Sequence, residues 1–277
     1  MKIAITSGKG GVGKSLLATA ISLQISKLGY KTLLFDADSE GPNDHLFLEI
    51  KLKKVKNVYK FVSVIDKRKC KKCGICAEIC KANAIFFSPG NYPRVIRSNC
   101  IGCGACKLLC PFGAIKDGKE KIGEILEGKL NRLRLITAKS KIGIEETSLV
   151  IKEGKKIVEN IDANFAITDT PAGTHCSTIH ALLRNEIAII VVEPTKFGIH
   201  DFLKILKLVK LLKMKSFVVI NKVTRRKSRN KIYEICKKRK VKIVGEISFR
   251  DELLSPNREV IQKIDEIVEI VEKLIKL

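Results

Sequence analysis

Residues 7–15 read SGKGGVGKS, and the fold follows from that stretch. Gly8, Gly13, Lys14 and Ser15 satisfy G-x-x-x-x-G-K-[ST], in which glycines let backbone N–H groups crowd around phosphates with no Cβ in the way. A helix opening there adds the positive end of its dipole, Lys14 adds a point charge, and Ser15 offers a hydroxyl to magnesium. The flanks agree. Upstream, KIAITSG is apolar and partly β-branched, as a buried parallel strand is. Downstream, Leu16, Leu17, Ala20, Ile21, Leu23 and Leu28 give one apolar helical face that Gly29 ends, and KTLLFDAD supplies a second strand. Strand, loop, helix, strand is a βαβ unit with a right-handed crossover. Gly8, Lys9, Gly10, Gly11, Val12, Gly13, Lys14 and Ser15 are thus the expected phosphate cradle.

Alternation of strand and helix returns late in the chain, with strand-like NFAITD, IAIIVVEPT, SFVVINK and KIVGEIS separated by helical segments near 177–185, 199–214, 229–240 and 257–276. A hairpin is expected in KEKIGEILEGKLNRLRLITAKSKIG and a helix in IEETSLVIKEGKKIVENI. Between these halves lies a segment of another kind, so the chain divides into 1–60, an insert at 61–118, and 119–277. The whole is read as an α/β fold, a mostly parallel sheet with helices on both faces, interrupted by a small α+β module.

The insert repeats itself. Cys70, Cys73, Cys76 and Cys80 recur thirty residues later as Cys100, Cys103, Cys106 and Cys110, each run followed by an Ala-Ile pair. C-x-x-C-x-x-C-x-x-x-C given twice, the second ending in Cys-Pro, is the spacing of bacterial ferredoxins with two 4Fe-4S clusters, where the fourth cysteine of each run ligates the other cluster. Cys70, Cys73, Cys76 and Cys110 are expected to hold one cluster, and Cys100, Cys103, Cys106 and Cys80 the other. Zinc is the rival, but three close cysteines plus a crossed fourth suit a cubane better than a tetrahedral ion. Lys81 stands where a proline would follow Cys80; its cation and free N–H would raise that cluster's potential.

Fifty-three Lys and Arg against 29 Asp and Glu give a formal charge of +24, which two clusters of −2 each would lower to about +20. From Lys204 to Lys242 sixteen basic residues face one acid, Glu234, which suits a nucleic-acid backbone or an acidic protein equally. No export signal opens the chain and no apolar run nears eighteen residues, so a cytoplasmic protein without stable membrane insertion is expected. The amphipathic end, REVIQKIDEIVEIVEKLIKL, carries Asp265, Glu266, Glu269 and Glu272 on its polar face, which anionic lipid would repel; packing on the sheet is expected. Cys176 and Cys236 are expected to be small buried hydrophobes.

Lys9 lies between the first two glycines of the loop, and GKGGVGKS resembles the deviant Walker A loop of the MinD/ParA superfamily of P-loop ATPases. The resemblance implies a homodimer in which Lys9 reaches the partner's nucleotide. It implies that Lys14 neutralises phosphate charge, that Asp38 in DADSEGPND orients the attacking water, and that Asp169, before TPAG, organises Mg2+ with Ser15. Asn221 and Lys222 in VVINK correspond to the adenine-reading pair, while Ala172 and Ser248 stand where that family often has proline. FDADSEGPNDHLFL, TPAGTHC and VVEPTKFGIHDF extend the likeness over most of the length, to the superfamily members with an inserted ferredoxin. The expected function is a Mg-dependent ATPase coupling nucleotide turnover to electron transfer through two 4Fe-4S clusters, with an acidic redox protein as partner. An iron-sulfur assembly or carrier ATPase, acting on an apo-protein, and a DNA-associated partition-type ATPase with a redox-sensing insert are the alternatives.

Overall fold

The computed structural model describes residues 1–144, 147–224, 226–254 and 257–276. The first half contains β1 (Lys2–Thr6), α1 (Lys14–Lys27), β2 (Thr32–Asp36), α2 (Asp44–Phe47), β3 (Lys53–Ile65), α3 (Ile75–Glu78), β4 (Ile85–Phe86), β5 (Arg94–Val95), α4 (Ala105–Leu108), β6 (Ile115–Leu130) and β7 (Leu133–Ser140). The second half contains α5 (Ser148–Glu159), β8 (Phe165–Asp169), α6 (Cys176–Leu182), β9 (Ile187–Val192), α7 (Lys196–Leu211), β10 (Lys215–Val223), α8 (Arg226–Arg239), β11 (Lys242–Ser248), α9 (Arg258–Gln262) and α10 (Asp265–Ile275).

Nine strands form one sheet in the order β11-β10-β9-β1-β8-β2-β7-β6-β3. From β11 to β7 every pairing is parallel; β6 runs against both of its neighbours. Alternation along β1 sends Ile3 and Ile5 to a core shared with α1 and α10, and Ala4 to the opposite face under α7. Phe35, Ile125 and Val150 belong to a third cluster, beneath α5. These are the two helical layers of a doubly wound sheet. The acidic terminal segment packs on that sheet, burying Ile267, Ile270, Val271 and Leu274, each contributing about 1.5–3 kcal/mol. It is two helices rather than one: the backbone is extended at Ile264, which turns that side chain into the core.

The hairpin forms as β6 and β7, closed by Asn131 and Arg132 with Asn131 at φ 52°, the left-handed conformation that a two-residue turn requires. A larger difference concerns the insert. Phe61–Ile65 and Ile115–Gly118 are not part of a separate module; they pair with each other as the ends of β3 and β6, so the cysteine-bearing lobe comprises residues 66–114. β7 ends at Ser140, opposite Gly123, whereas β3 and β6 stay paired to Ile65 and Ile115. The two strands thus leave the sheet as a ribbon and run roughly 25 Å past its C-terminal edge, at ~3.3 Å per residue. The lobe sits at the tip, on the same side of the sheet as the phosphate loop. Its halves repeat: Ile85 pairs with Val95 as Ile115 pairs with Ile65.

Gly154 on α5 faces the ring of Phe35, and a Cβ there would lie 2.7 Å from Phe35 Cε2. Helix propensity alone would make Gly154→Ala stabilising by up to about 1 kcal/mol, but overpacking a buried ring costs about 1–3 kcal/mol. We expect a net loss of about 1 kcal/mol in denaturant unfolding; an unchanged or raised midpoint would mean that Phe35 can move aside.

Candidate functional site

Parallel pairing aligns the chemistry. Ile5 on β1 and Asp36 on β2 both register with Asp169 on β8, so the phosphate loop, the DAD segment and the TPAG segment leave the sheet side by side. Backbone bonds tie them together: Ala37 N–H donates to Asp169 O at 2.9 Å and Gly173 N–H to Ser7 O at 2.9 Å. Gly13 has φ 92°, and a Cβ on it would overlap the Asn221 amide; only glycine fits there. Around the loop is a cavity of about 310 Å³, lined by Gly10, Gly13, Lys14, Ser15 and Asp38 on one side and Phe249, Arg250 and Leu254 on another.

Four acids converge beneath the loop. Asp36, Asp44 and Asp169 are fully buried, and their carboxylate oxygens lie within 4.8 Å of one another. Ser15 Oγ donates to Asp169 Oδ2 at 2.5 Å, while Asp169 Oδ1 and both oxygens of Asp44 have no hydrogen-bond partner among the described residues. Burial, with the repulsion of Asp169, pushes the Asp36 carboxyl well up; burial and then Asp36 do the same to Asp44. Asp169 is pushed up to about 6 by burial, against the pull of Lys14 and the Ser15 hydroxyl. Burial also raises Asp38, with Lys14 opposing. One buried lysine cannot neutralise this group. Unpaired carboxylate oxygens beside a serine hydroxyl are the donor set of a hard divalent cation, so Mg2+ fits here, with Ser15 and Asp169 as the residues to hold it.

The other expected residues are distributed as follows. Lys14 is buried in the loop, and Asp38 lines the cavity facing it. Lys9 Nζ lies 3.1 Å from Glu193 Oε2, an ion pair within the chain. Asn221 and Lys222 line the cavity, yet the Asn221 amide donates to Val12 O at 2.8 Å and Lys222 Nζ to Gly11 O at 2.7 Å; they buttress the loop. Cys236 is buried, but Cys176 is exposed at the start of α6, because that helix faces an open cleft between Asp38 and Pro171. Sequence reasoning missed Asp44, an acid opening α2 just ahead of the apolar residues 46–48, and Phe249, Arg250 and Leu254, which carry no motif.

In the lobe, one cavity is lined by Cys70, Cys73, Cys76 and Cys110, and a second by Cys80, Cys100, Cys103 and Cys106. The crossed quartets are therefore neighbours in space. Gly74 and Gly102 bring backbone close: a Cβ would lie 2.6 Å from the Phe87 ring or 3.1 Å from Phe61 O. Backbone N–H groups already point at sulfur, Ala84 to Cys80 Sγ at 3.2 Å and Ala114 to Cys110 Sγ at 3.4 Å. Burial pushes the Cys76 thiol up to about 11, with Cys70, Cys106 and Cys73 adding to it; such a thiol ionises only beside a metal. Four soft sulfur donors lining each cavity are the donor set of an iron-sulfur cubane.

Residues 3–261 match the family model described as the CobQ/CobB/MinD/ParA nucleotide binding domain. An uncharacterised protein of Methanocaldococcus jannaschii is 34% identical over 229 residues, 80% of each chain. An iron-sulfur cluster carrier protein of Pyrococcus abyssi is 25% identical over 228 residues, 80% of this chain and 61% of its own. Among solved structures, MinD complexed with Mg-ADP from Pyrococcus horikoshii aligns over 99% of this chain and 95% of its own, with a TM-score of 0.60 and 17% identity, a likeness of fold. Among the described residues no helix is long and apolar enough to cross a membrane.

The acid cluster gives a pH dependence with a definite sign. A carboxyl raised to about 6 when folded favours the folded state more as pH falls from 6 towards its unfolded value near 3.8, whereas a bound cation needs it ionised. The thermal stabilisation by Mg2+ with nucleotide should therefore be large at pH 7.5 and shrink through pH 6. Asp169→Asn should flatten that profile; a profile identical in the variant would remove Asp169 from the cation site.

Proposed function

The chain belongs to the CobQ/CobB/MinD/ParA nucleotide-binding domain family, and from that premise we propose an ATPase whose nucleotide state is coupled to electron transfer through two 4Fe-4S clusters in the lobe. ATP lies on the loop from Gly8 to Ser15, with Lys14 against its phosphates and Mg2+ held by Ser15 and Asp169. Asp38 orients the water, and little covalent chemistry is asked of the protein beyond that. In a homodimer Lys9 would exchange Glu193 for the partner's nucleotide. Cys70, Cys73, Cys76 and Cys110 hold one cluster, Cys80, Cys100, Cys103 and Cys106 the other; when bound, the clusters supply one-electron chemistry. An acidic redox protein suits the basic lobe as partner.

One observation carries the coupling. Ser39, next to Asp38, accepts the Ser140 N–H at 2.8 Å, and the two hydroxyls lie 3.0 Å apart. Ser140 pairs with Gly123 in β6, where the ribbon leaves the sheet. The segment that would sense the γ-phosphate is thus bonded to the root of the arm that carries the cysteines. Linkage then works both ways: a nucleotide that shifts the arm changes cluster potential, and cluster charge changes nucleotide affinity.

The carrier reading draws support from the Pyrococcus abyssi relative. Against it stands the number of thiols closing each cavity, because cargo needs open or labile ligation. Anaerobic purification should give about eight irons and eight sulfides per chain. ATP affinity should differ at least fivefold between oxidised and reduced protein. Lys14→Ala should lose ATP binding, and Asp38→Asn should keep binding but slow turnover about 100-fold. Identical affinities and turnover in both redox states would sink the coupling, and release of iron and sulfide to an apo-protein would favour the carrier.

A further inference from the structure

The two halves of the lobe repeat so closely that their differences can be read position by position. Val95 and Arg94 pair with Ile85 and Phe86 in one half as Ile65 and Val64 pair with Ile115 and Lys116 in the other. One residue further along the strand, Ser63 in one half therefore corresponds to Pro93 in the other. Each lines a cysteine cavity: Ser63 the one with Cys80, Cys100, Cys103 and Cys106, Pro93 the one with Cys70, Cys73, Cys76 and Cys110. Ser63 Oγ lies 2.8 Å from Cys106 Sγ, and both residues are buried. Proline has no hydroxyl and no N–H to offer in its place.

We propose that Ser63 is a potential-setting residue: its hydroxyl, donated to Cys106 Sγ, makes the cluster held by Cys80, Cys100, Cys103 and Cys106 the more easily reduced of the two. The inference rests on the cluster reading above. A hydrogen bond to a ligand sulfur stabilises the more negative, reduced cluster and so raises its potential. The backbone donors do not discriminate, because Ala84 to Cys80 Sγ and Ala114 to Cys110 Sγ are matched, one in each cavity.

The nearby cations lean the same way once burial is weighed. Lys60 is only 8% exposed and donates to Cys100 O at 2.7 Å and Arg97 O at 3.2 Å, with Glu120 Oε2 3.4 Å away. The cations beside the other quartet face water. Lys71 lines that cavity, and Lys67 and Lys72 lie over the Tyr92 ring at 5.6 and 4.7 Å. Solvent and salt screen these charges; a hydroxyl in direct contact with sulfur is not screened. The more easily reduced cluster is also the one nearer the nucleotide-binding body, because its cavity reaches back along β3 to Phe61 while the other begins at Ile65. One electron given to the outer cluster by a low-potential donor would pass to the inner one, reoxidising the first as it reduces the second.

Redox titration of the full chain under anaerobic conditions, with dithionite as reductant and EPR as readout, tests this. Wild-type protein should show two one-electron midpoints. Ser63→Ala should lower the higher midpoint alone, by about tenfold in the reduction equilibrium, ~59 mV for one electron. Ser63→Thr, which keeps the hydroxyl, should restore it. Pro93→Ser, placing a hydroxyl at the equivalent position, should raise the lower midpoint and narrow the gap. If Ser63→Ala moves the lower midpoint or neither, the inference is wrong. Should that variant fail to hold iron, Pro93→Ser decides alone: a raised lower midpoint supports the assignment, an unmoved one overturns it. Wild-type protein with fewer than eight irons would overturn the cluster reading itself, whereas two reducible clusters with coincident midpoints would overturn only the role of Ser63.

Discussion

The register between β1, β8 and β2 is the constraint on which everything else depends. Parallel strands expose their C-terminal ends at one edge, and the pairing Ile5, Asp169, Asp36 fixes where each ends relative to the others. The phosphate loop, Asp36, Asp38 and Asp169 all leave from that line. A slip of one residue in β8 would turn Asp169 to the opposite face and leave Ser15 without its partner.

Charge is the cost of this arrangement. Fully buried carboxylates beside a nearly buried lysine cannot all be ionised at once, and burial raises their proton affinities accordingly. A folded protein tolerates such a cluster when a ligand completes it. A bound divalent cation would relieve that repulsion, and ligand binding and folding stability would then draw on the same few groups. The lobe follows the same logic with sulfur in place of oxygen: its halves pack only a few apolar residues, among them Ile85 and Ile115, against the cysteines themselves, and iron would complete that small core.

The sequence made the nucleotide loop legible because backbone crowding around a phosphate admits few residue types, and the crossed cysteine sets legible because the same spacing occurs twice, thirty residues apart. It made α1 and the buried strands legible through periodicity. It hid β3, where Lys53, Lys54 and Lys56 interrupt the alternation that only Val58, Lys60 and Val62 keep. The insert therefore looked like a module between two switches rather than the tip of a ribbon that extends the sheet. Ser63 was equally invisible, since one serine in a strand carries no pattern. Its place follows from the two registers, which make it the counterpart of Pro93 in the repeat. The Lys9–Glu193 pair and the Asn221 bond to Val12 depend on loops meeting in space, which no local pattern records.

A ribbon of two strands that projects so far from its anchorage is a lever. Its fulcrum lies where Gly123 faces Ser140, and its load is the lobe. A tilt of about 10° there would sweep the tip through roughly 4 Å, given the ~25 Å reach. Displacements too small to disturb the packed body would thus be magnified at the far end, where the two cysteine quartets lie.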